Sequence, residues 1–233
     1  MRVRVRILVL TLLALLPRAG AGQFFLLSEN KVQYRHLDWQ VLKGPRVDVH
    51  YYPAEAALAP VALAYAEESY DALSPRFGHT VSNRIPLVIY ASHSDFEQTN
   101  ILPFNPPEGL LGVTDFLKRR VTMPFRGNLA EFRHTLRHEM VHVFQISLLA
   151  DRYDRSPRAA GIAIPLWWTE GLAELWSGGE DARDQMILRD LVLGGRLPRL
   201  QNLAWVTGGI VYPLGGRIHR WLADNYGDWR VAS

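Results

Sequence analysis

Cysteine is absent from all 233 residues. That excludes disulfides, a cysteine-attached lipid anchor and any thiolate metal ligand. An exported chain without disulfides fits a bacterial periplasm or exterior better than a eukaryotic secretory route. Long apolar runs are scarce as well. The run at the N-terminus, residues 7–16, has about half the length that spans a bilayer, which disfavours a membrane anchor. It follows Arg2, Arg4 and Arg6 and precedes the small residues Ala19, Gly20 and Ala21, the layout of a secretory signal and its cleavage site. Residues 1–22 are therefore expected to be a signal peptide, with no stable membrane span left after its removal. This leader also contains Arg18 and has no acidic residue, so taking its four arginines from the formal charge of +3 leaves −1. The pI near 9.3 thus owes its height to the leader. With no basic stripe interleaved with aromatics, a nucleic-acid partner is not expected.

What is present suits one globular domain over residues 23–233, since 48% hydrophobic residues supply a sizeable core. Residues 47–52 and 84–90 read as strands. Residues 55–73, rich in alanine, read as a helix stopped before Pro75. Residues 92–100 read as a loop or short helix, and the proline-rich 103–107 as irregular and exposed. Residues 112–124 look like two short strands around a turn, with Lys118, Arg119 and Arg120 most simply a solvated turn. Helices are expected at 181–193 and 214–226, joined by a connector at 197–206. The strands thus gather in 23–149 and a helical half follows in 150–233. The chain ends at Ser233 within a polar stretch, as a truncated or fragmentary sequence would.

The chemistry concentrates in residues 133–145, RHTLRHEMVHVFQ. Residues 129–149 read as one helix, with Phe132, Leu136, Met140, Val143, Phe144 and Leu148 as its apolar stripe and no Pro or Gly inside. Positions four apart share a face, so His138 and His142 project together and can grip one metal ion. Glu139 is offset by one residue, where its carboxylate reaches a metal-bound water rather than the metal. Zinc held in this way lowers its water's pKa to about 7, and the glutamate acts as general base toward a carbonyl. The HExxH pattern arises by accident in roughly one such sequence in a hundred. The plain alternative is a helix whose histidines are buried and hydrogen-bonded, or surface-exposed.

A catalytic zinc site takes three protein ligands and keeps one position open, so a third ligand must come from elsewhere. The stretch 167–175, WWTEGLAEL, offers Glu170 at the start of a helix after Pro165, with Thr169 as a possible cap. Gly171 would let this helix approach the first one closely. Glu174 lies one turn on and can accept from the far nitrogen of a ligand histidine, fixing its tautomer. Two solvated surface glutamates are the plain alternative. His134 precedes His138 by one turn, but it lies about 12 Å along the axis from His142, too far for both to hold one ion. His36, His50, His79 and His93 show no metal-site spacing and read as structural.

HEMVH followed by WWTEGLAEL resembles the gluzincin metallopeptidases, in which a downstream glutamate in an EGLAE-like helix completes the zinc site. The gap from His142 to Glu170 holds 27 residues, which is similar to the peptidase-MA-like domains of bacterial exported proteins. Residues 30–52, NKVQYRHLDWQVLKGPRVDVHYY, resemble the region preceding such a domain in proteins that carry a TolB-like β-propeller downstream. The resemblance covers roughly residues 31–227.

It implies an α+β zincin-like fold, with a small mixed sheet whose edge strand packs on the HExxH helix. It further implies that the strand before this helix, residues 120–123, is a sheet edge to which an extended peptide adds. A downstream Tyr or His would stabilise the oxyanion; Tyr212 is the candidate, with His219 competing, and a core tyrosine is the plain alternative. The expected function is an exported zinc peptidase acting on peptide or protein substrates, with Zn²⁺ on His138, His142 and Glu170. A non-catalytic metal-binding or scaffolding module, with a β-propeller domain or partner, is the alternative.

Overall fold

The computed structural model describes residue 31 and residues 33–102, 104–115, 118–153 and 164–231. The expected signal peptide, residues 1–22, lies outside the described residues. The architecture is α+β, built on one five-stranded mixed sheet. Its strands are β1 (Gln40–Lys43), β2 (Val47–Tyr51), β3 (Ile85–Tyr90), β4 (Val113–Asp115) and β5 (Arg120–Pro124), in the spatial order β1-β2-β3-β5-β4. The two outer pairs, β1 with β2 and β4 with β5, are antiparallel, whereas β2, β3 and β5 run parallel. Successive side chains of a strand point to opposite faces. Val47, Val49, Ile85, Leu87, Ile89, Val121 and Met123 accordingly enter one large core. The other face is covered by a smaller cluster of Tyr52, Tyr90 and Phe96.

Helix α1 (Ala59–Phe77) closes the main core with Ala59, Ala62, Ala66, Tyr70, Leu73 and Phe77, spaced three and four apart. It does not stop before Pro75. A proline in the last turn removes one N–H, while the helix end gains elsewhere. Gly78 takes a left-handed φ of 54°, and the N–H of His79 donates to the Ser74 carbonyl at 3.2 Å. Phe77 is kept helical because its ring stacks on Phe144 and meets Trp176 edge-on. A one-turn helix α2 (His93–Phe96) follows β3, capped by Ser92. Pro106, expected to be exposed, is buried, and its carbonyl accepts from His93 Nε2 at 3.1 Å.

Helix α3 (Leu129–Tyr153) carries the HExxH pattern and buries Phe132, Leu136, Met140, Val143 and Phe144 against the sheet and α1. The helical half follows with α4 (Leu166–Ser177), α5 (Ala182–Leu193) and α6 (Val211–Tyr226). A 3₁₀ segment, Leu200–Trp205, occupies the expected connector. Helix α4 begins at Leu166 with Pro165 at its cap position. Thr169 therefore lies inside the helix, where its hydroxyl donates to the Leu166 carbonyl, and is not a cap. Glu170 falls in the second turn and does not open the helix.

Gly171 permits a close approach to a different helix from the expected one. A Cβ there would stand 2.6 Å from the Gly215 Cα, and one on Gly215 would stand 2.8 Å from the Gly171 Cα. The partner is α6, not α3. No helix among the described residues is long and apolar enough to cross a membrane.

Candidate metal centre

Three donor atoms converge between α3 and α4. His138 Nε2 lies 3.1 Å from Glu170 Oε2, His142 Nε2 lies 3.2 Å from the same oxygen, and the two Nε2 atoms are 3.2 Å apart. Donors arranged tetrahedrally at zinc bond lengths of roughly 2.0–2.1 Å stand about 3.3 Å from one another. The triangle therefore has the edge length of one face of such a site. Its donor set, two imidazoles and a carboxylate, is also one that zinc accepts in catalytic sites. The expected ligands are thus brought together, and this group could hold a metal ion. Among the described residues, no other set of His, Asp and Glu side chains converges in this way. His36, His50, His79 and His93 lie outside it, as expected.

The electrostatics suit a cation. Burial disfavours the charge on His138, but hydrogen bonds to the Glu170 and Glu174 carboxylates overcome it and hold the imidazole well above its usual value. Burial alone would raise the Glu170 carboxyl; bonds to both imidazoles hold it below the carboxylate range instead. The carboxylates of Glu170 and Glu174 thus favour positive charge on the imidazole they face.

The surrounding residues fix the rings. Glu174 Oε1 is 3.3 Å from His138 Nδ1, within reach of the ring nitrogen that faces away from the triangle. His134 stays off the triangle, with its Nε2 3.2 Å from Ser177 Oγ. Glu139 is buried. Its Oε2 accepts a hydrogen bond from the Thr114 hydroxyl at 2.6 Å, and Gly112 leaves no room beside it, since a Cβ there would lie 3.0 Å from Glu139 Cγ. Sequence reasoning missed Thr114, because the contact joins residues 25 apart and no motif marks it. It missed Gln145 too, whose Oε1 lies 2.8 Å from His142 Nδ1. A signal for Gln145 existed, since it is three residues after His142 and so on the same helix face.

Tyr212 is not a core residue. It sits in the first turn of α6 with 36% of its surface exposed, and its ring tilts over His138 with centroids 6.0 Å apart. Burial, then the charges of Glu170, Glu139 and Glu174, push its phenol up, so it stays a hydrogen-bond donor at neutral pH. His219 does not compete. It is fully buried, its Nδ1 pairs with the Gly215 carbonyl at 2.9 Å, and its ring packs on Trp168.

The expected edge strand is displaced by one position. β5 lies between β3 and β4, and β4 covers Arg120, Val121 and Thr122, so most of residues 120–123 is not a sheet edge. The edge is β4, which packs on α3 through the Thr114 hydroxyl. Of the basic triplet, Arg119 and Arg120 turn back onto the protein, toward Ser147 and Asp115. Comparison of the chain with models of known protein families finds no match, and no curated protein matches it.

Proposed function

We propose that this chain is an exported zinc-dependent metallopeptidase of gluzincin type, acting on peptide or protein substrates. One observation carries the reading: His138, His142 and Glu170 present three donors at zinc-site spacing, and Glu139 is held beside them by a neutral hydroxyl. Zinc on these three residues would supply a Lewis acid that activates water and polarises the scissile carbonyl.

The protein's own groups do the rest. Glu139 takes the proton from the attacking water and passes it to the leaving amine, as a buried carboxylate with one oxygen tied to Thr114 can. Tyr212, protonated and aimed across His138, donates to the oxygen that gains charge as the carbonyl becomes tetrahedral. Glu174 keeps the His138 ring in the tautomer that offers Nε2 outward. β4, outermost in the sheet among the described strands, is where an extended substrate would approach, bringing its backbone past Glu139.

Metal analysis of the purified protein, with a peptide-library cleavage assay run with and without a chelator, tests the proposal. About one zinc per chain and chelator-sensitive cleavage are expected. Metal without any cleavage would point to a binding or scaffolding module, and no metal would reject the site.

A further inference from the structure

Gln145 bridges two parts of the metal centre, the His142 ring and the backbone just before Glu170. It is 9% exposed and lies one helical turn after His142 on α3. Its Oε1 is 2.8 Å from His142 Nδ1, and its Nε2 donates to the Thr169 carbonyl at 3.0 Å. Thr169 is the residue immediately before Glu170. One amide therefore touches a ring from the first pair of donors and the backbone that carries the third.

We propose that Gln145 is a positioning residue, which sets the His142 tautomer and locks the Glu170 turn to it. The inference rests on the metal-site reading above. A cation at the triangle needs the lone pair of His142 Nε2, which puts the ring's proton on Nδ1. That N–H must find an acceptor, and Gln145 Oε1 supplies it. The amide then has only its NH₂ left, and the Thr169 carbonyl accepts from it. Turning the amide over would set N–H against N–H and oxygen against oxygen. The three groups therefore admit one arrangement in which every donor meets an acceptor, with the amide itself buried.

Glu174 serves His138 differently, because a carboxylate accepts and cannot donate. A carboxylate at position 145 would keep the bond to His142 and lose the tie to Thr169. The side-chain amide is the group that does both.

The test uses the full chain and Zn²⁺ alone, with affinity measured by competition against a chromogenic chelator. Gln145→Met is expected to weaken zinc binding by about 10- to 100-fold, the range for removing a partner of a ligand histidine. Gln145→Glu, close in size and still an acceptor, should fall between Gln145→Met and the wild type, and it keeps the test open if Gln145→Met does not fold. Nitrogen-15 NMR of the zinc-loaded protein should show His142 protonated at Nδ1 in the wild type and that signal shifted or broadened in Gln145→Met. A packing role alone would lower the urea midpoint of the metal-free protein while leaving zinc affinity and the ring signal unchanged, and that result overturns the proposal. No zinc binding by the wild type would overturn the metal-site reading itself; normal wild-type binding with unaltered variants overturns this inference alone.

Discussion

Gly171 and Gly215 face each other backbone to backbone, where a Cβ on either would lie within 2.8 Å of the other's Cα. This contact sets the distance between α4 and α6, and with it the distance from Glu170, which adjoins Gly171, to Tyr212, one turn before Gly215. A side chain here has nowhere to go, because the atoms it meets are main chain. Gly215→Ala is expected to destabilise the fold by about 1–3 kcal/mol, the usual cost of overpacking. It should also lower peptidase activity in the fraction that remains folded. Thermal melts and assays on the same preparation check both.

Glu139→Gln removes the base and leaves the three donors in place. Zinc content should stay at the wild-type level while turnover falls by about 10²- to 10⁴-fold, the usual share of a general base. Full activity in this variant would reject the mechanism.

Tyr212→Phe keeps the ring over His138 and deletes the donor. The expected result is a fall in kcat of about 10²-fold with KM and zinc content little changed, as for loss of one oxyanion donor. Steady-state kinetics on one good peptide substrate would show the split.

Thr114→Val deletes the hydroxyl that Glu139 Oε2 accepts from at 2.6 Å. A buried acceptor left short of its partner costs about 1–3 kcal/mol. A lower urea midpoint and slower turnover are expected, and Thr114→Ser should recover most of both.

Glu55, outside the candidate metal centre, gives a pH signature. It is 6% exposed, and burial raises its carboxyl above the usual 4.5. The native state therefore holds this proton more tightly than the unfolded chain. Stability from this group is complete below pH 4.5, declines as pH rises toward the raised native value, and is level above it. Glu55→Gln removes the penalty, so the variant should gain stability over wild type at pH 7 and show no gain at pH 3. Urea midpoints at the two values check the sign.

Elements with a strong period or a dense motif were legible from the residues alone. The apolar stripe of α3 and the four-residue spacing of His138 and His142 fix a shared face by helical geometry alone, whatever the rest of the chain does. The Glu170–Glu174 pair is legible for the same reason. Local signals failed where a distant contact outweighed them. Pro75 punctuates the sequence but not α1, because Phe77 is held by Phe144 and Trp176. Thr169 looks like a cap, yet α4 starts three residues earlier.

Which surfaces meet was settled by packing. Strand order depends on pairing between segments far apart in the chain, so nothing local says that β4 rather than β5 is the edge. The partner of Gly171, the hydroxyl on Glu139 and the position of Tyr212 over His138 are likewise set by packing across many residues. Helical periodicity places a side chain on a face; the packed core chooses what that face confronts.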